Sequence, residues 1–145
     1  MLKSFWFWVT VTLIAMQFIT MDVPEHIKDN PNEEIEVPKE VMSILKRSCY
    51  DCHSNHVQLP WYDTVAPARW FVKNHIKKGR KVVNFSIWNS YTPEKQYRTM
   101  KKLPKSIVIR MPMPSYLWLH SEAKLSKKEK NLLKEWAINL KENIK

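Results

Sequence analysis

The sequence predicts an all-α fold, and three observations carry that reading. Apolar residues recur at helical spacing in several segments, while the strand signal is confined to the short, isolated triplet Ile107-Val108-Ile109. Ser126-Lys127-Lys128-Glu129 has the pattern of a capping box and precedes Leu132, Leu133, Trp136, Ala137 and Leu140 on one face. Gly79 is the sole glycine against nine prolines, so turns fall to Pro and Asn, as in Asp29-Asn30-Pro31-Asn32.

Taken in order, the first element is apolar. Met1-Leu2-Lys3 precedes a run from Phe5 to Met21 interrupted only by threonines and Gln17. A basic start and a hydrophobic stretch have the form of an export signal, and the run is close to the ~17-residue lower limit for crossing a bilayer. No pair of small residues resembles an Ala-x-Ala cleavage site; Ala15 with Gln17 and Phe18 with Thr20 come nearest. Residues 1–21 therefore read as an uncleaved membrane anchor. Its positive flank keeps the N-terminus in the cytoplasm, and Phe5, Trp6, Phe7 and Trp8 suit an interface. Residues 22–36 follow as a polar, proline-punctuated linker. They hold six acids (Asp22, Glu25, Asp29, Glu33, Glu34, Glu36) against Lys28.

Residues 37–145 form one domain, with no internal repeat. Pro38 opens a helix bearing Val41, Ile44 and Leu45. A second helix spans about 65–81, with Trp70, Phe71, Val72 and Ile76 on its apolar side. A third spans 93–103, starting after Thr92 with Pro93 at its first position and Glu94 in its first turn. The helix after Ser126 closes the chain.

The helix from Pro38 runs into Cys49-Tyr50-Asp51-Cys52-His53, and these are the only two cysteines in the chain. Cys-x-x-Cys-His is the pattern that attaches c-type haem. Two thiols one turn apart can each add to a vinyl group of one porphyrin, and the histidine that follows can reach the iron from the proximal side. A structural zinc site wants four ligands, and a second Cys pair is absent. A thiol-redox pair is expected beside a βαβ pattern, which is not found. A disulfide closing so small a loop would stabilise little. The expected cofactor is one covalent haem c, held by Cys49, Cys52 and His53. The expected fold is a small cytochrome c-like helical domain wrapped around it, preceded by the N-terminal membrane-anchor helix.

The sixth iron position decides the biochemistry. Met111 lies in Arg110-Met111-Pro112-Met113-Pro114, a loop stiffened by two prolines, which lowers the entropy lost in holding a weak ligand. A thioether opposite histidine raises the reduction potential and suits electron transfer. Met111 is the favoured distal ligand, with Met113 and His75 as alternatives. His56 stands too near His53 to reach the opposite face. His120 fits a turn or a propionate, and Met100 sits on a helix. Trp61, Tyr62, Trp70, Trp88, Tyr116 and Trp118 suit a core around a large apolar ring, and Arg69 or Arg80 could pair with its carboxylates.

From about 37 to 140 the chain resembles the haem-binding domain family of small exported bacterial proteins with a single Cys-x-x-Cys-His site. The matching segments are Cys49-Tyr50-Asp51-Cys52-His53-Ser54-Asn55, Pro60-Trp61-Tyr62, Ala66-Pro67, Trp70, His75, Gly79-Arg80, Asn84-Phe85-Ser86, and Met111 to Leu117. His120 and Ala123-Lys124-Leu125-Ser126 follow. The resemblance implies covalent haem and places the family's Met-Pro motif at Met111. The chain departs from the family pattern with Ile109-Arg110 before that methionine, where a short acidic-glycine turn is common.

Charge narrows the partners. The chain carries net +10, but Lys3 adds one charge and residues 22–36 subtract five, leaving +14 on residues 37–145. Such a field suits an acidic redox partner, anionic lipid heads or haem propionates. Nucleic acid is not expected for an exported haem protein. The expected function is a non-enzymatic, membrane-tethered monohaem cytochrome. It would pass single electrons on the extracytoplasmic side of the bacterial cytoplasmic membrane. The alternative is a haem-based sensor of O2, NO or CO with an open or displaceable distal ligand.

Overall fold

Among the described residues the chain forms seven α-helices joined by short 3-10 segments, with no strand. The computed structural model describes residues 2–21 and 30–144, without the side chains of Leu2 and Lys3. The helices are α1 (Leu2–Gln17), α2 (Lys39–Ser48), α3 (Tyr50–His53), α4 (Ala68–Val82), α5 (Pro93–Ile109), α6 (Pro114–Leu117) and α7 (Lys127–Asn143). The all-α expectation holds.

The core lies where α5 and α7 pack on one another and α2 leans on α7. On α2, Val41, Ile44 and Leu45 are buried on one stripe; Leu133 and Ala137 do the same on α7. Phe85 and Trp88 come from the 3-10 segment Phe85–Ser90 and complete this cluster. The capping box at Ser126 is formed: its hydroxyl accepts from Glu129 N (3.2 Å), and the Glu129 carboxylate accepts from Ser126 N (2.8 Å).

Tertiary packing extends one element beyond its sequence signals. The helix expected over 93–103 starts as predicted, capped by Thr92, but continues through Pro104 to Ile109. A mid-helix proline removes one hydrogen bond and crowds the preceding turn. Burial of Met100 and Ile107, with Leu103 packed beside them, outweighs that cost. The triplet Ile107-Val108-Ile109 is accordingly the last turn of a helix rather than a strand.

The first 21 residues differ from expectation. Helix α1 ends at Gln17, and no helix among the described residues is long and apolar enough to cross a membrane. Sixteen residues rise about 24 Å, short of the ~30 Å hydrocarbon layer. The helix ends because the domain engages its last groups. The Gln17 side chain donates to Ala66 O (3.2 Å) and accepts from Ala66 N (2.9 Å), and Trp70 Nε1 donates to Ile19 O (2.9 Å). The membrane-spanning anchor expected over residues 1–21 is therefore not supported by the structure.

Of the segment expected as linker, residues 22–29 lie outside the described residues. The remainder is packed. Pro31–Glu33 makes a 3-10 turn, Ile35 is only 2% exposed with its N–H on Phe85 O (3.0 Å), and Glu34 accepts the Tyr50 hydroxyl (2.9 Å).

Candidate functional site

The pentad occupies a single helical turn that follows a break. Helix α2 stops at Ser48. Cys49 leaves the helical region (φ −130°, ψ −33°), and its carbonyl then accepts from Cys52 N (3.2 Å) and His53 N (3.0 Å). So short a helix has no stability of its own, and its neighbours hold it. The Tyr50 ring stacks on Phe85 with centroids 6.0 Å apart. Ser54 Oγ donates to Tyr50 O (2.8 Å), and Arg80 Nε donates to Ser54 O (2.8 Å). Behind it, Asn84 Nδ2 donates to Asn55 Oδ1 (2.7 Å) and Asn55 N to Ser86 Oγ (3.0 Å). The Asn84-Phe85-Ser86 segment is thus the clamp on this turn.

Gly79 explains why the chain keeps a glycine in α4. A Cβ there would lie 2.5 Å from Cys52 O and 3.3 Å from Cys52 Cβ. The backbones of α4 and α3 touch, and only hydrogen fits between them.

This contact orients His53. Its Nδ1 lies 3.0 Å from Val83 O at the end of α4. A carbonyl only accepts, so Nδ1 carries the proton and Nε2 keeps a free lone pair. Burial pulls the ring below the usual histidine range, opposed by the carbonyls of Val83 and Gly79. The result is a neutral imidazole with one fixed tautomer, the form a metal ligand requires.

His53 and Cys49 line a cavity of about 510 Å³. Leu45, Val83, Phe85, Leu103, Ile107 and Leu133 give it apolar walls, and Met111 and Pro112 complete it. The buried Ser48 hydroxyl, also on the wall, has no hydrogen-bond partner among the described residues. Met111 is carried there by the end of α5, where its N–H bonds Ser106 O (2.9 Å). Cys52 instead lines a second, largely apolar cavity of about 380 Å³ with Met113, His75 and Trp118. Of the three candidate distal ligands, Met111 shares a cavity with His53. Met113 and His75 do not.

Both cysteines are free thiols. Burial, with Cys52 nearby, pushes Cys49 up to about 12; burial and Asp51 push Cys52 up to about 11. A nucleophilic or redox Cys-x-x-Cys needs a depressed thiol, and this pair is shifted the other way.

Other sequence candidates have separate duties. Met100 is fully buried in the core. His120 Nε2 meets Tyr62 Oη (2.9 Å) and its ring stacks on Tyr116 (4.2 Å), whose hydroxyl donates to Asp51 (2.6 Å). Arg69 donates to the carbonyls of Asp63, Thr64 and Gln17 and Arg80 to that of Ser54, and neither lines the His53 cavity. The cations that do are Lys95, Arg98 and Lys102 on α5. Sequence reading passed over them, although their spacing along a helix already placed them on one stripe.

Residues 11–139 match the haem-binding domain family. The chain belongs to that family. No curated protein and no solved structure matches it. Haem is the cofactor the family implies, and the residues of this haem-binding domain fit it. A neutral imidazole with a free nitrogen, a thioether and a thiol face one apolar cavity whose mouth carries three cations. The volume lies within the 300–1,000 Å³ usual for organic ligands.

Proposed function

We propose that this haem-binding domain is a monohaem c-type cytochrome that transfers single electrons. In this reading Cys49 and Cys52 form thioethers with the haem vinyl groups, His53 is the proximal ligand and Met111 the distal one. The observation that carries it is the shared cavity of His53, Cys49 and Met111, with the His53 tautomer fixed by Val83 O. Bound haem would supply a one-electron change at iron. The protein's part is to present Nε2 of His53, exclude water with apolar walls, and hold Met111 on a proline-restricted loop. Cys49 and Cys52, which open on the cavities flanking α3, would hold the porphyrin through its vinyl groups.

Location and partner follow as parts of the same proposal. The Cys49–His53 pentad and the apolar Phe5–Met21 run support work outside the cytoplasmic membrane. The exposed aromatics Phe5, Trp6, Phe7 and Trp8 support contact of α1 with a membrane. The +14 on residues 37–145 favours an acidic redox partner.

The test is haem retention. Haem should stay with the chain through acid–acetone extraction and denaturing electrophoresis, and Cys49→Ala with Cys52→Ala should release it. The intact ferrous protein should not change its spectrum under carbon monoxide. Complete extraction from the wild type would remove the c-type assignment. Ready carbon monoxide binding would instead favour a ligand-sensing module.

A further inference from the structure

Helix α5 presents Lys95, Arg98 and Lys102 to the cavity that holds His53 and Met111. The spacing of three and then four residues keeps them on one stripe of the helix. All three side chains are exposed, so they stand at the mouth rather than in the apolar floor. Lys95 Nζ sits 3.4 Å over the Tyr91 ring. Arg98 Nη2 donates to Glu94 at 2.5 Å, with both side chains about 70% exposed (70% and 72%). An exposed pair of this kind is weak, so a competing carboxylate can displace Glu94.

We infer that this stripe is the recognition site for the two carboxylates of the haem, with Arg98 as the bidentate partner and Lys95 and Lys102 as flanking charges. The inference rests on haem occupying the His53 cavity. In protoporphyrin the propionates lie on the half of the ring away from the vinyl groups. Cys49, the vinyl-side thiol, and the α5 cations line the same cavity, and that pairing would set which way round the porphyrin enters. Arg is suited to the task because its planar fork matches a carboxylate. Glu94 holds that fork until the propionate replaces it.

The α5 helix also supplies its own control. Lys101 and Lys105 are exposed on the same helix; they line an adjoining groove that shares Arg98, Lys102 and Ser106 with the His53 cavity, but they do not line that cavity themselves. Neutralising them changes net charge equally and leaves the mouth intact.

The test uses the full-length apo chain with its thiols reduced, titrated with ferric protoporphyrin IX and with its dimethyl ester in the same dilute detergent. The wild type should bind the diacid about tenfold or more tightly than the ester, the ratio expected for a charge-assisted contact. Arg98→Gln with Lys102→Gln should remove that preference, Glu94→Gln should increase it, and Lys101→Gln with Lys105→Gln should leave it unchanged. Equal loss in the Lys101/Lys105 variant would show a long-range field rather than a contact and overturn the inference. So would a wild type that ignores esterification while giving a spectrum that depends on His53. A wild-type spectrum indifferent to His53→Ala would overturn the haem site itself, and the inference with it.

Discussion

Replacing Gly79 by alanine sets two physical effects against each other. Gly79 lies inside α4 (Ala68–Val82), where helix propensity alone favours alanine by about 1 kcal/mol. Packing opposes it, because the new methyl carbon would sit 2.5 Å from Cys52 O and 3.2 Å from Cys52 C. Both neighbours are backbone, so no side chain can swing away. Ordinary contact would require α4 to retreat from α3 by roughly 1 Å, and overpacking of this kind costs about 1–3 kcal/mol. The clash should win, with net destabilisation of up to about 2 kcal/mol, or as much as roughly 16 °C in Tm for a domain near 100 residues. The retreat also carries Val83 O away from Nδ1 of His53, so the haem-loaded protein should show a loosened proximal ligand. Thermal unfolding followed by circular dichroism, with the haem spectrum recorded in parallel, reads both. A Gly79→Ala protein more stable than wild type would refute the claim that α3 and α4 meet backbone to backbone.

Two further outcomes follow from the site and its frame. Met111→Ala should open the iron to carbon monoxide and abolish the sulfur-to-iron charge-transfer band of the oxidised protein. Met113→Ala, half-buried in the other cavity, should leave the band intact and cost only about 1–2 kcal/mol of packing. His75→Ala should also leave the band intact, and the opposite pattern would indicate a bis-histidine site. Glu129 is held down to about 2, from an ordinary 4.5, mainly by the Ser126 N–H and then by Arg47. Its contribution is therefore present above pH 4.5 and lost as pH falls from there towards 2. Screening at this partly exposed position limits the effect to about 1 kcal/mol. Urea unfolding across that window should show the loss in wild type and not in Glu129→Gln.

Local chemistry made much of this protein legible in one dimension. The pentad at Cys49–His53, the caps at Thr92 and Ser126, and the buried stripes of α2 and α7 depend on residues within a turn or two of each other. Short-range spacing therefore suffices to read them. The proline neighbours of Met111 are likewise local and mark that loop in the sequence. Three-dimensional packing decided the rest. Helix α5 runs through Pro104 because Met100 and Ile107 are buried, a term that propensity does not contain. Helix α1 stops at Gln17 because Ala66, Arg69 and Trp70 take up its end groups from a segment about fifty residues away. The cavity that brings Cys49, His53 and Met111 together also recruits Lys95, Arg98 and Lys102, and it separates Cys52, His75 and Met113 into another space. Spacing along a chain reports which residues share a helical face. Which faces then enclose a common volume depends on how helices pack, and that is set by contacts between residues far apart in sequence.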